Sequence, residues 1–301
     1  MQRFIFFYNR IHQGDSPLTM LFLVGCGLGD IEDISVKALK IIKKSDKVVL
    51  EHYTSILKSN IKEMEEFFEC KVEIADRQCI EETPYFLEEA KTLDVCLLVV
   101  GDPFSATTHA DLLLRAHEMK VPVKAIHNAS IMNAVGSCGI SLYHYGQTVS
   151  VPFWQGNWKP SSFYDKIESN LKQSLHTLCL LDIKVKEPTW ESLARGKKEY
   201  LPPRYMTVNT AIEQLLEISK EKDVPILMDD TLVVAALRIG TEDQKYICGS
   251  MKSLKDLEMG EPLHSMIIPC CDNLHEVEWD LLQIIGIDCD YINKVKSKYM
   301  K

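Results

Sequence analysis

A loop of unusual composition directly after an apolar run is the feature that most restricts the fold of this chain. Residues 95–100 are apolar at every position, as expected of a buried strand, and they lead into Gly101-Asp102-Pro103. Residues 108–119 then have the pattern of a helix. This order of strand, sharp loop and helix predicts an open α/β sheet, in which ligands bind beyond the carboxyl ends of the strands.

A second glycine loop, Gly25-Cys26-Gly27-Leu28-Gly29-Asp30, follows another apolar run at residues 21–24. Proteins that bind dinucleotides carry the pattern G-x-G-x-x-G, and the third glycine of this loop stands one position too early for it. A nicotinamide cofactor is therefore not predicted. In the later loop, Asp102 is a candidate ligand-binding carboxylate. The alternative role is a helix cap, for which Thr107 is better placed. Two such loops at strand ends predict one shared cleft.

The first half of the chain alternates between strand and helix patterns, which predicts a mainly parallel sheet. Strands are predicted at residues 21–24, 48–50, 72–74, 95–100 and 121–126. Helices are predicted at residues 35–45, 56–68 and 108–119, and another begins at Thr83-Pro84, with Thr83 as the N-cap. Residues 20–127 are therefore expected to form an N-terminal α/β domain that carries both glycine loops.

Residues 128–301 are expected to form a second α/β domain with a mixed sheet, because short strand patterns alternate there with helices. Its strands are predicted at residues 148–151, 177–183, 226–228, 233–238, 246–248 and 266–268, and its helices at 165–174, 207–218 and 276–285. Residues 1–19 have no part in either pattern, and we expect them to be a disordered extension. Their apolar patch is too short for the core of a signal peptide.

Composition excludes several classes of protein. A formal net charge of −9 gives no general attraction to a phosphate backbone, which disfavours nucleic acid as the main partner. No apolar stretch approaches the ~18–20 residues that span a bilayer, so no membrane partner is expected. The 10 cysteines include no C-x-x-C pair, which favours free thiols in the reducing cytoplasm, and the nine histidines lack the spacing of metal ligands.

Four further segments carry polar residues that could have either a functional or a structural role. Asn128-Ala129-Ser130-Ile131 could bind a ligand or cap a helix, and Asp182 with Lys184 could be a surface ion pair. Asp229-Asp230-Thr231 is interpreted as a turn or a cap, because adjacent acids on an extended segment point in opposite directions. His264 is more typical of a structural than of a catalytic histidine.

Taken in order, these segments resemble the diphthine synthase family, S-adenosylmethionine-dependent methyltransferases of the tetrapyrrole-methylase-like superfamily. The matching stretches are residues 25–30, 47–55 (which include Glu51, Tyr53 and Thr54), 101–110, 126–131, 156–158, 176–178, 181–184, 229–234 and His264. The resemblance runs from residue 20 to about residue 288. The insertion at residues 186–206 is similar to the eukaryotic branch of the family.

The resemblance implies two α/β domains with a cofactor cleft between them, S-adenosylmethionine as cofactor, S-adenosylhomocysteine as its product, and a homodimer. Carried over by position, the residues that bind the cofactor are Leu28, Asp102, Ser105, Ser130, Ile131, Leu181, Ile239 and His264. Two positions depart from the family: Cys26 stands where Leu is usual, and Ser105 where an apolar residue is common. No catalytic residue or metal ligand is assigned.

The family's substrate is elongation factor 2, on a histidine that already bears a 3-amino-3-carboxypropyl group. Three methyl groups on the amine and one on the carboxylate give the diphthine methyl ester, and the eukaryotic resemblance favours this four-methyl product. Aromatic residues such as Tyr53, Phe104 or Trp158 are candidates to hold the growing cation. The alternatives are a methylase of the same superfamily that acts on a tetrapyrrole or ribosomal RNA, and a non-catalytic partner of the elongation factor that binds S-adenosylmethionine.

Overall fold

The computed structural model describes residues 19–51, 53, 55–185 and 200–300. The chain divides into two compact units, one that ends at Met132 and one that begins at Asn133. The predicted extension before Thr19, Thr54, and most of the insertion after Val185 lie outside the described residues.

The first unit is built on a parallel sheet of five strands in the order β3-β2-β4-β1-β5. The strands are β1 (Leu21–Gly25), β2 (Lys47–Glu51), β3 (Val72–Ala75), β4 (Val95–Val99) and β5 (Val123–Ile126). The helices are α1 (Val36–Ile42), α2 (Ile61–Phe68), α3 (Arg77–Glu81), α4 (Tyr85–Glu89) and α5 (Ala110–Glu118), and the short helix α6 (Ile131–Ala134) includes the boundary between the units.

Both faces of this sheet carry an apolar core, which explains the uninterrupted apolar runs of its central strands. Side chains alternate along β1, so that Leu21 and Leu23 pack in one core and Val24 in the other. The side chains of β4 alternate between the two cores in the same way, and all five residues of this strand are buried. The strands β1 and β4 are also direct neighbours, with Gly25 level with Val99, so the loops that follow them leave the sheet side by side.

The second unit has a mixed sheet in the order β11-β10-β12-β7-β6, in which only the β6–β7 pair is parallel. Its strands are β6 (Val149–Val151), β7 (Thr177–Leu181), β10 (Leu232–Leu237), β11 (Lys245–Ser250) and β12 (His264–Ile268), and a separate pair is formed by β8 (Ile183–Lys184) and β9 (Arg204–Tyr205). Its helices are α7 (Ser162–Lys172), α8 (Val208–Lys220), α9 (Met251–Lys255), α10 (Glu276–Ile284) and α11 (Cys289–Tyr299).

The α/β class is confirmed, and several local predictions are wrong. The helix expected from residue 56 begins at Ile61, because Asn60 and Glu63 form a reciprocal capping box there. Residues 226–228 form no strand. The Ile226 N–H donates to the Tyr164 hydroxyl and the Leu227 carbonyl accepts from the Ser219 hydroxyl, so side chains occupy the backbone groups that a strand would pair.

The other differences concern the starts of two helices, one divided strand and three helices that were not predicted. Pro84 is itself the N-cap of α4, and Thr107 does not cap α5, because its hydroxyl donates to the Pro103 carbonyl over 2.7 Å. The strand predicted over residues 177–183 is broken at Asp182 into β7 and β8. The helices α3, α9 and α11 were not predicted, and α11 is strongly polar apart from the buried Ile292.

Candidate cofactor site

Two glycine loops contact each other at the carboxyl edge of the first unit's sheet. The Gly101 N–H donates to the Gly27 carbonyl over 2.7 Å, and the Gly27 N–H donates back to the Gly101 carbonyl over 3.2 Å. Both glycines have positive φ, +80° and +79°, which L-residues with a side chain rarely adopt. A Cβ on Gly25 would lie 2.6 Å from the Gly101 carbonyl oxygen. The glycines are therefore needed for the loops to pack against each other.

Asn128 ties the loop after β5 to the loop after β1. Its side-chain amide donates to the carbonyls of Gly25 and Asp33, over 3.0 Å in each case. The Asp33 carboxylate in turn accepts from the N–H groups of Leu28 and Gly29, over 3.0 and 2.7 Å. The first glycine loop is thus held from both sides. Neither role was predicted, because each depends on contacts that only the folded chain provides.

Asp102 joins the loop after β4 to the loop after β5. One carboxylate oxygen accepts from the Phe104 N–H over 3.0 Å, and the other lies 2.8 Å from His127 Nδ1 and accepts from the Asn128 N–H over 3.2 Å. Burial acts to raise the pKa of Asp102, but these hydrogen bonds outweigh it and hold that pKa below the usual value. The carboxylate is therefore ionised at neutral pH. Since a carboxylate has about four acceptor sites, these three contacts leave one site unused among the described residues.

Beneath this loop lies a buried pair of ionisable side chains, Glu51 and His109. Both are fully buried, and His109 Nε2 lies 3.2 Å from Glu51 Oε2, an ion-pair distance without the alignment of a linear hydrogen bond. The other ring nitrogen, Nδ1, lies 3.1 Å from the Pro103 carbonyl and must donate to it. The pair therefore fixes the backbone of the residue that follows Asp102.

The sequence-predicted cofactor residues of the first unit all lie at this carboxyl edge. Leu28 follows β1, Asp102 and Ser105 follow β4, and Ser130 and Ile131 follow β5. Asp102 and Ser130 are buried, whereas the other three are partly exposed. The structure brings together three loops here, of which the sequence predicts only that the two glycine loops share one cleft.

The predicted residues of the second unit also gather at one edge of its sheet. Leu181 is the last residue of β7, His264 is the first of the neighbouring antiparallel strand β12, and His264 is level with Leu237 at the end of β10. Ile239 follows two residues later and is 9% exposed. Antiparallel pairing therefore places the ends of β7 and β10 beside the start of β12.

His264 has an acceptor that the second unit leaves open. Burial lowers the pKa of His264, so the ring is neutral at pH 7. Its Nε2 lies 3.0 Å from the Glu261 carbonyl and donates to it, which leaves Nδ1 as a lone-pair acceptor. Nδ1 is buried and has no hydrogen-bond partner among the described residues. A donor such as an amino or hydroxyl group of a ligand fits this position.

The remaining candidates have structural roles. Asp182 accepts from the Phe153 N–H over 2.9 Å and lies 3.7 Å from the Lys184 ammonium, the surface ion pair that was expected. The segment Asp229-Asp230-Thr231 forms a turn, in which the Thr231 hydroxyl accepts from the Met228 N–H over 2.8 Å. Within the described residues, no helix is long and apolar enough to cross a membrane.

Comparison with known proteins identifies the class. The family of tetrapyrrole (corrin/porphyrin) methylases matches residues 20–255. The diphthine methyl ester synthase of Dictyostelium discoideum is 50% identical over 271 residues, which cover 89% of this chain and 98% of that protein. The human diphthine methyl ester synthase is 48% identical over 273 residues, 89% of this chain and 95% of that protein. A crystal structure of diphthine synthase superimposes with a TM-score of 0.78 at 32% identity and covers 92% of this chain and 100% of that one.

The chain therefore belongs to the tetrapyrrole methylase family, whose members are methyltransferases. Within the family, it groups with the diphthine methyl ester synthases, so the resemblance drawn from the sequence motifs and the expectation of a methyltransferase of diphthamide biosynthesis are confirmed.

Proposed function

We propose that this chain transfers methyl groups from S-adenosylmethionine to the 3-amino-3-carboxypropyl histidine of elongation factor 2, with the diphthine methyl ester as the product. The names of its relatives support the methyl ester, and thus four transfers rather than three. We further propose that the cofactor contacts Leu28, Asp102, Ser105, Ser130, Ile131, Leu181, Ile239 and His264. Action in the cytoplasm fits the ten free cysteines, and a homodimer follows from the family resemblance.

The observation that carries the proposal is the Asp102 carboxylate. It is ionised, it is held by Phe104, His127 and Asn128, and it keeps one acceptor site. Its negative charge suits a cationic sulfonium ligand, and its free site suits a ribose hydroxyl or an amino group. The open Nδ1 of His264 offers a second acceptor of the kind that such a ligand needs. The polar groups present therefore fit S-adenosylmethionine.

When bound, S-adenosylmethionine supplies an electrophilic methyl group on a sulfonium. The chain's own contribution is to hold the reacting groups in line, a positioning effect that supplies much of the rate in such displacements. The three interlocked loops provide this rigidity, because their main chains are hydrogen-bonded to one another. Among the predicted aromatic residues, Tyr53 is already covered by the Arg77 guanidinium at 5.1 Å, whereas Phe104 is half-buried beside Asp102. Phe104 is thus the better candidate to face the growing cation.

The reaction is tested by the intact mass of precursor-bearing elongation factor 2 after incubation with the protein and S-adenosylmethionine. A gain of four methyl groups supports the proposal, and a gain of three would indicate the trimethylated product. No gain with intact cofactor binding would favour the non-catalytic partner or a methylase with another substrate.

The role of Asp102 is tested separately by the dissociation constant of S-adenosylmethionine. Since a hydrogen bond to a charged group contributes ~1.5–3 kcal/mol, Asp102→Asn should weaken binding by about 10- to 100-fold. Asp288→Asn is the matched control, because Asp288 is an exposed carboxylate that caps α11 through the Tyr291 N–H. An unchanged dissociation constant for Asp102→Asn, with normal thermal unfolding, would remove Asp102 from the site.

A further inference from the structure

An open groove of about 620 Å³ lies on the first unit, between α1 and the strand pair β1–β5. Its apolar lining comes from Phe22, Val36 and Ile41, and its charged lining from Lys37, Lys40, Lys44 and Lys124. We call these seven residues the lysine groove. Its strand residues lie near the starts of β1 and β5, at the opposite end of the sheet from the three interlocked loops.

Helix geometry explains one wall of the groove. Val36 and Lys40 are four residues apart on α1, as are Lys37 and Ile41, so these side chains share one face. Lys44 continues the same spacing just beyond the end of α1. The face therefore combines apolar and basic groups, and Val36 remains 69% exposed. An exposed aliphatic side chain among ammonium groups suits a partner with both apolar and acidic groups.

Sheet register supplies the other wall. In the parallel pairing of β1 with β5, Phe22 is level with Lys124, so the two side chains stand next to each other on the same face. The strand β5 is the edge of the sheet, and Lys124 is exposed. Phe22 is only partly buried beneath it. This wall, like the helical one, therefore presents an apolar side chain (Phe22) next to an ammonium group (Lys124).

The four ammonium groups of the groove lack ion-pair partners among the described residues, although other lysines of this unit are paired. Lys43 lies 2.6 Å from Glu69, and Lys47 lies within 3.0 Å of Glu73 and Glu89. Asp94 also lines the groove and offsets one of the four positive charges, while one of its oxygens accepts from the Met20 N–H over 3.0 Å. The lining therefore keeps an excess of positive charge in a chain whose formal net charge is −9.

We propose that the lysine groove docks an acidic segment of the protein substrate that also carries an apolar side chain. Charge complementarity requires acidic groups opposite the four lysines, and the apolar lining requires a non-polar group between them. A nucleic-acid backbone would satisfy the charges, but it would leave the exposed Val36 and the partly exposed faces of Phe22 and Ile41 uncovered, and the acidic remainder of the protein would repel it. This inference rests on the proposed function, in which the substrate is a protein.

The test is the triple variant Lys37→Glu/Lys40→Glu/Lys44→Glu, assayed with precursor-bearing elongation factor 2. An exposed ion pair changes an equilibrium constant by up to about fivefold, so three reversals should raise KM for the elongation factor by tenfold or more. The value of kcat and the dissociation constant of S-adenosylmethionine should not change. The rise in KM should diminish with added salt, because exposed charges are screened.

The matched control is Lys220→Glu/Lys245→Glu/Lys252→Glu, which changes the net charge equally on exposed positions of the second unit. Its KM should stay within twofold of the wild type. Equal KM values for the two triple variants would overturn the docking role. Loss of binding to a labelled single-stranded RNA by the groove variant, with KM unchanged, would also overturn it and assign the groove to nucleic acid.

A second measurement keeps this inference separate from the proposed function. If the wild type transfers no methyl group to the elongation factor, the proposed function fails, and the groove is then tested with a fluorescein-labelled peptide of alternating glutamate and leucine. Binding to the wild type and the control variant, with at least tenfold weaker binding to the groove variant, supports an acidic and apolar ligand. Equal binding to all three proteins refutes it.

Discussion

The buried Glu51–His109 pair gives a quantitative prediction about what holds the Gly101-Asp102-Pro103 loop. Both side chains are fully buried, and His109 also donates to the Pro103 carbonyl. Removal of either side chain leaves a buried polar atom of the other without this contact, which typically costs ~1–3 kcal/mol. We therefore expect Glu51→Gln alone, or His109→Gln alone, to lower the free energy of unfolding by about 1–3 kcal/mol.

The double variant Glu51→Gln/His109→Gln should recover much of that loss, because two amides can hydrogen-bond to each other. The coupling energy should thus be about 1 kcal/mol or larger, above the ~0.3–0.5 kcal/mol within which independent sites add. Urea unfolding of the four proteins measures it. Additive losses from Glu51→Gln and His109→Gln would refute the idea that the pair acts as a unit.

The same series separates stability from ligand binding. Because His109 holds the Pro103 carbonyl, Glu51→Gln should also weaken the binding of S-adenosylmethionine, measured by calorimetry on the folded protein. An unchanged dissociation constant in a variant that has lost about 1–3 kcal/mol of stability would limit the pair to a structural role. His109→Gln keeps a donor for Pro103 and should therefore bind the cofactor better than His109→Leu.

Four further predictions concern single residues. Gly25→Ala places a Cβ 2.6 Å from the Gly101 carbonyl oxygen and should cost ~1–3 kcal/mol as well as cofactor affinity. Gly156→Ala, with φ +55° and open space around it, should cost ~1–2 kcal/mol and leave that affinity unchanged. Burial lowers the pKa of His176 from 6.5 to about 4, so stability present above pH 6.5 should fall by ~3 kcal/mol towards pH 4 in urea titrations, and His176→Gln should lose this dependence. Mass spectrometry after brief alkylation should find Cys289 modified first, because it is exposed whereas burial raises the pKa of the Cys26 thiol to about 12.

Local sequence patterns were sufficient for the strands that carry the site. The strands β1 and β4 are buried on both faces, so their apolar runs are continuous, and the glycine loops after them mark where they end. The same patterns failed at residues 226–228, where Tyr164 and Ser219 take the backbone hydrogen bonds. An apolar run alone cannot reveal that competition, because both partners lie on other elements.

The connections among the loops could not be predicted from local patterns. Asn128 contacts Gly25 and Asp33 across separations of 103 and 95 residues, and these contacts exist because β4, β1 and β5 are neighbours in the sheet. Strand order is a property of the whole chain. The position of Asp102 after β4 is therefore sufficient to predict a functional role for it. Its hydrogen bonds to His127 and Asn128 can be recognised only in the folded chain.

The reciprocal hydrogen bonds between Gly27 and Gly101 have a consequence for engineering. The framework of the proposed binding edge is set largely by backbone groups and by the side chains of Asp33 and Asn128. Within the described parts of the chain, the side chains of the partly exposed Leu28, Ser105 and Ile131 take no part in the hydrogen bonds of that framework. Their shapes can be altered without a change in loop length, which makes them the positions to randomise when a variant is sought that accepts cofactor analogues with larger S-alkyl groups.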